Sequence, residues 1–140
     1  MKHILDLIGR LFLSFIFLFE GYDSIAFFNE TKNTMTSYGL TWRQDLLLYG
    51  AIFVLILGGL LILTGYRSSF GALLLLFYWV PVTFIVHSFW NDPYEVQREQ
   101  SVEFMKNVAI IGGLLMVMVN GSGRLSIRRL FATVRVPGAD

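Results

Sequence analysis

Apolar residues gather in four long runs separated by polar segments, and the length of each run predicts a membrane-crossing helix. The first covers residues 4–28, but its charge-free core, residues 11–19, is short. Asp6 and Arg10 lie on one side of that core and Glu20 and Asp23 on the other, at depths where an ionised group is costly unless paired. Asp6 and Arg10 stand i,i+4 and can pair while Arg10 snorkels towards the surface. Lys2 ahead of an apolar run resembles the start of a signal peptide, yet no small-residue cleavage site follows, so the helix reads as retained. Residues 29–45 are polar and predict a loop with one short surface helix, with Tyr38 and Trp42 suited to the membrane interface.

The second run, residues 46–63, is free of charge and contains Gly58-Gly59-Leu60-Leu61, where a neighbouring backbone can approach closely. A tight turn through Gly65 and Arg67 makes the third run, residues 69–90, its antiparallel neighbour. Pro81 interrupts that third helix and frees the carbonyl of Phe77, which predicts a kink, with Thr83 or a partner helix positioned to satisfy the carbonyl. A polar loop over residues 91–101 precedes the fourth run, residues 102–119, whose first turns carry Glu103, Lys106 and Asn107. In the tail, residues 124–140, Arg124, Arg128, Arg129 and Arg135 alternate with Leu125, Ile127, Leu130 and Phe131, a basic amphipathic pattern suited to an anionic membrane surface.

These elements predict one all-α, integral-membrane four-helix bundle over residues 1–140. Residues 55–61 and 109–115 repeat the order Gly-Gly-Leu-Leu at equivalent places in helices two and four, which suggests two helical hairpins related by an axis along the membrane normal. Gly58, Gly59, Gly112 and Gly113 are accordingly expected at helix-packing faces. Basic residues are more numerous on the side holding the termini and the Arg67 turn, so both termini are expected in the cytoplasm. Nearly all acidic residues fall towards the other side, where they could attract cations or a basic partner surface.

Composition sharpens this picture. The chain is 55% hydrophobic and only 15% charged, against roughly half and a quarter in soluble domains. It has no cysteine, which removes dithiol chemistry and thiolate-held clusters from this chain. His3 and His87 fall at opposite membrane faces, so no metal or shared haem is expected. A net charge of +1 with no basic run interleaved with aromatics gives no nucleic-acid signal.

Candidate chemistry comes from depth. Counting along the helices, Glu20, Asp23, His87 and Asn107 lie roughly 5 to 13 Å below the outer boundary. They can converge on a polar pocket there, with Lys106 and Arg98 supplying positive charge. One reading is a ligand site in which His87 and Glu20 or Asp23 exchange protons or donate hydrogen bonds. The other is an ionic lock, with Glu20 or Asp23 paired to Lys106, His87 bonded to a neighbouring helix, and the network serving packing alone. Tyr78 and Trp79 read as packing residues unless a ring-shaped ligand lies beside them.

Nearly the whole chain resembles the DoxX family of small bacterial membrane proteins. The resemblance rests on Ile8-Gly9-Arg10-Leu11, Met35-Thr36-Ser37-Tyr38-Gly39-Leu40, Leu57-Gly58-Gly59-Leu60-Leu61, His87 with Phe89-Trp90, Phe104-Met105-Lys106-Asn107 and Gly123-Arg124-Leu125-Ser126. It implies a four-helix bundle in the bacterial cytoplasmic membrane and a membrane subunit or accessory of a redox, quinone-linked complex. Family members often carry a lysine just after the glycine near the end of helix one; here the residues are Gly21-Tyr22-Asp23-Ser24, so no cation is offered at that place. The expected ligands are a borrowed quinone or a bound lipid, and the expected partners are membrane lipids and other membrane subunits or further copies of the chain. The alternative is a non-catalytic assembly subunit that docks larger partners, in which bulky substitutions at Gly58 or Gly113 would dissociate the assembly.

Overall fold

A computed structural model describes residues 1–134, with side chains placed through Leu130. Among the described residues the chain is entirely helical: α1 spans Lys2–Ala26, α2 Phe28–Ser37, α3 Gln44–Thr64, α4 Ser68–Val86, α5 Tyr94–Asn120 and α6 Ile127–Val134. A short 3-10 turn, Phe89–Asn91, leads from α4 to α5. Arg135 and the rest of the expected basic tail lie outside the described residues.

Among the described residues three helical segments are long and apolar enough to cross a membrane: Gln44–Thr64, Ser68–Asn91 and Tyr94–Asn120. α1, expected to be a span over residues 4–28, has the length but is not among them. Its charge-free residues 11–19 cover only about 13 Å of a hydrocarbon core about 30 Å thick. The faces of α1 are nevertheless inverted relative to a soluble helix. Arg10, Ser14, Phe17, Gly21 and Ser24 are buried and recur in alternating steps of four and three, which makes one stripe. Phe12, Phe15, Phe19 and Tyr22 point outwards, with Phe12 75% exposed. Small and polar groups inside with aromatics outside is the pattern a lipid surround permits, because lipid is as apolar as the side chains it meets.

α3 packs against α1 on one side and α4 on the other, and α4 packs against α5, whereas α1 and α5 touch little. Phe17, Leu55, Ile62, Ala72, Leu75, Trp79 and Leu114 form the core between them. The adjacent glycines of α3 serve two neighbours at once. A Cβ at Gly58 would lie 2.6 Å from Leu75 Cγ of α4, and one at Gly59 3.0 Å from Leu18 of α1. Consecutive helical residues point about 100° apart, so a Gly-Gly pair opens both flanks together. The matching pair on α5 does not repeat this. Gly113 approaches Leu13 at 3.3 Å, but a Cβ at Gly112 would meet nothing within 4 Å. The sequence repeat therefore does not carry a repeated packing arrangement, because α5 has a close neighbour on only one of the two flanks.

Two further expectations need correction. α5 begins at Tyr94, so most of the polar stretch expected to be a loop over residues 91–101 is helix. Pro93, at φ −57°, starts it: its ring presets the backbone, and its carbonyl accepts from the amides of Val96 and Gln97. α4 runs as one helix from Ser68 to Val86 with Pro81 inside it, and only the role expected of Thr83 differs. The Thr83 hydroxyl donates to the carbonyl of Trp79 at 2.6 Å, not to that of Phe77.

Arg10 does not snorkel. It is only 2% exposed, and its guanidinium donates to Asp6 Oδ2 at 3.2 Å, to the Ile62 carbonyl at 3.2 Å and to the Leu125 carbonyl. It thus ties α1 to the last turn of α3 and to the segment after α5. Gly65, at φ +70°, ends α3 in the left-handed conformation, and a Cβ there would collide with the Arg10 guanidinium and with Ser126. Close by, the hydroxyls of Ser68 and Ser122 bond at 2.6 Å, and Gly123 leaves room for the Asp6 carboxylate.

Replacing Arg10 with Ala leaves Asp6 and two carbonyls short of a donor. Arg10→Ala is expected to destabilise the folded protein by about 3–5 kcal/mol, measured by SDS titration or thermal unfolding in mild detergent. Wild-type stability in this variant would refute the clamp.

Candidate functional site

α1, α4 and α5 enclose a cavity of about 800 Å³, covered by Glu30, Thr31 and Thr34 of α2. Each helix contributes one face. Ile16, Glu20, Asp23 and Ser24 come from α1, Phe27 from its junction with α2, and Glu103, Lys106, Asn107 and Ile110 from α5, both helical sets at helical spacing. Trp79 and His87, eight residues apart, bring α4 to the same space. Glu20, Asp23, His87, Lys106 and Asn107, picked out by depth, therefore line one cavity. Arg98 does not join them; it lies in a separate surface recess with Tyr94 and Glu95, because the early start of α5 puts it on that helix, where nine residues turn it to the face opposite Asn107.

Pairing inside the cavity differs from the ionic lock. Lys106 Nζ is held by Glu103 Oε1 at 2.7 Å, its own i,i+3 neighbour. Glu20 and Asp23 form no ion pair among the described residues. The i,i+3 carboxylate on its own helix is within easy reach, and Lys106 pairs there and not across to α1. His87 is tied to a neighbouring helix, for its Nδ1 lies 2.9 Å from Gln100 Oε1 of α5. An amide oxygen as partner puts the ring proton on Nδ1 and leaves Nε2 available.

The charged groups in the cavity wall are thus mostly acidic, with Glu20, Asp23 and Glu30 in no ion pair among the described residues beside the Glu103–Lys106 pair. Two neutral donors complete it. Asn107 is buried, and its side chain makes no hydrogen bond among the described residues. Trp79 is 6% exposed, and its indole Nε1 has no partner among the described residues. Its ring is fixed edge-on against Phe17 at a centroid distance of 5.0 Å, so the indole cannot readily turn away to find one. A buried donor left unmade costs about 1–3 kcal/mol, and few native structures leave one without a reason.

Trp79 reads from the sequence as a packing residue unless a ring-shaped ligand lies beside it. It does pack, but the spacing Trp79, Thr83, His87 is i,i+4,i+8, and that stripe is the signal that could have joined it to His87. Glu30 was likewise set aside as loop; α2 brings it over the cavity. This cover is fastened to α3: Lys32 pairs with Asp45 at 2.6 Å, and the Gln44 amide donates to Thr36 Oγ1 and the Leu40 carbonyl, both at 2.7 Å. Among the described residues no three His, Cys, Asp or Glu side chains gather as metal ligands.

Apolar helices with outward aromatics, enclosing ionisable groups at one end of the bundle, define a multi-pass membrane protein. Residues 5–88, more than half of the chain, match the DoxX family model, and the chain belongs to the DoxX family. It is similar to the inner membrane protein YphA of Escherichia coli K12, with 28% identity over 128 residues, 91% of each chain. It is also similar to the inner membrane protein YqjF of the same organism, with 29% identity over 133 residues, 93% of this chain and 96% of that one. No solved structure matches the chain. Like these relatives, it is a protein of the bacterial inner membrane. Glu20, Asp23 and His87 fall inside the matched region, Lys106 and Asn107 beyond it.

The cysteine-free chain allows a direct check of where the cavity opens. A cysteine placed at Asp23 or Asn107 is expected to react with a membrane-impermeant maleimide added to the outer face of spheroplasts, and one at Ser69 only after permeabilisation. Labelling of Ser69→Cys from outside, with Asp23→Cys protected, would invert the orientation.

Proposed function

We propose that this protein is the quinone-binding membrane subunit of a redox complex, with the quinone ring held in the acidic cavity. The observation that carries this is the unpartnered, buried indole N–H of Trp79 in a cavity that Glu20, Asp23, His87 and Asn107 also line. A quinone ring offers two carbonyl oxygens as acceptors. The Trp79 N–H and the Asn107 amide are the donors suited to them. Conversion to the quinol takes up two electrons and two protons. A partner redox subunit supplies the electrons, while Glu20, Asp23 and His87 relay the protons from the aqueous side. The inverted faces of α1 favour its crossing the membrane as a fourth span, and the excess of basic residues around the Arg10 end favours cytoplasmic termini. The cavity then lies in the outer leaflet.

A second reading, a non-catalytic assembly subunit, has one observation in its favour. Leu5, Ile8, Phe12, Phe15, Phe19 and Tyr22 are all exposed and alternate in steps of three and four, a seam on which a partner's helix could lie. Gly58 is no probe of that seam. It packs inside the chain against Leu75, so a bulky residue there disrupts the fold rather than an assembly.

The test uses Trp42→Phe and Trp90→Phe to leave Trp79 as the single tryptophan, in lipid nanodiscs. A short-chain ubiquinone analogue should quench its fluorescence saturably. Asn107→Ala should weaken binding by about tenfold, the worth of one hydrogen bond. Glu20→Gln and His87→Ala should leave binding nearly unchanged and slow quinol formation by about a hundredfold in the assembled complex. Unsaturable quenching, with His87→Ala and Glu20→Gln fully active, would favour the assembly reading instead.

A further inference from the structure

Beside the acidic cavity lies a second one of about 520 Å³, bounded by α2, α3 and α4. The two share five residues: Thr31 and Thr34 of α2 and Tyr78, Val82 and Val86 of α4. The last three stand i,i+4,i+8, so a single stripe of α4 forms the ridge between the cavities, and α2 covers both. Their walls differ in kind. The second cavity has no charged side chain in its lining. The Thr31 and Thr34 hydroxyls are satisfied within α2, donating to the carbonyls of Phe27 at 2.9 Å and Glu30 at 3.1 Å.

This groove follows the helix axes. It runs down α4 from Val86 to Leu74, about 18 Å, more than one leaflet's share of a hydrocarbon core about 30 Å thick. On α3 it is widened by Gly50 and Ala51, and a Cβ at Gly50 would meet nothing within 4 Å. We propose that the groove holds the hydrocarbon tail of the same molecule whose head occupies the acidic cavity, so that the ligand is a long-chain amphiphile straddling the Tyr78–Val82–Val86 ridge beneath α2. The proposal rests on the quinone reading and deepens it: the natural substrate carries an isoprenoid chain and enters sideways from the lipid, not from water. Continuity of the two cavities through their shared residues is what selects this occupant over an unrelated lipid.

A tail leaving lipid for this groove gains no hydrophobic free energy, because both surroundings are apolar. The groove therefore selects by shape, and filling it should exclude a tail without touching the head. In the single-Trp79 protein in nanodiscs, Gly50→Leu and, independently, Ala51→Phe should weaken binding of a long-chain ubiquinone by about tenfold or more while leaving the short-chain analogue within about twofold. Thermal unfolding accompanies each variant, and at least one of the two must melt like the parent for the comparison to be read. Unchanged long-chain affinity in a folded variant would overturn the tail site while leaving the quinone reading intact. Equal loss of both ligands in a folded variant, or co-purified phospholipid that the long-chain quinone does not displace, would overturn it too. Failure of the parent to bind either ligand would remove the quinone reading, and the tail site with it.

Discussion

A buried guanidinium needs partners for its donors and a counter-charge, and Arg10 finds both by drawing three distant parts of the chain together. Asp6 supplies the charge, while the carbonyls of Ile62 and Leu125 take two of the remaining donors. Much of the surrounding geometry follows from this demand. Gly65 has to lack a side chain where the guanidinium passes, and Gly123 where the Asp6 carboxylate sits. The Ser68–Ser122 bond closes the same end between α4 and the segment after α5. Leaving any of these donors unmet in an apolar surround would cost more than the local helix could return.

The opposite end of the bundle is built on other terms. There α1 and α5 stand apart, and the space between them holds carboxylates, a histidine, an amide and the edge of an indole. The clamped end satisfies the charges of Arg10 and Asp6 internally and leaves one hydroxyl, Ser126 Oγ, without a partner; at the open end Glu20, Asp23, Asn107 and Trp79 Nε1 have no protein partner among the described residues. That contrast within one small bundle separates the part that maintains the fold from the part available for chemistry. It also explains why Trp79 belongs to both: its ring fills the core against Phe17, while its nitrogen faces no acceptor within the protein.

The helices and the gathering of Glu20, Asp23, His87, Lys106 and Asn107 were legible in the sequence because both depend on quantities that add along the chain. An apolar run declares its length, and depth accumulates at about 1.5 Å per residue. What pairs with what was less legible. Lys106 chose Glu103 over a partner on α1, a competition settled by side-chain reach. The acceptors of Arg10 are backbone carbonyls, which have no signature in residue type. The start of α5 was hidden because its first two turns are polar and show no apolar period, so only Pro93 marked it. The Gly-Gly repeat misled for a related reason: identical letters in α3 and α5 face different numbers of neighbours.

Arg10 also bears on how the molecule is made. Its carbonyl partners lie 52 and 115 residues further along the chain, so when α1 leaves the ribosome nothing yet exists to receive its charge beyond Asp6. Residues 11–19 alone are too short to hold the helix securely in lipid. The contacts that bury the Arg10 guanidinium therefore cannot all form until Ile62 and then Leu125 have been synthesised.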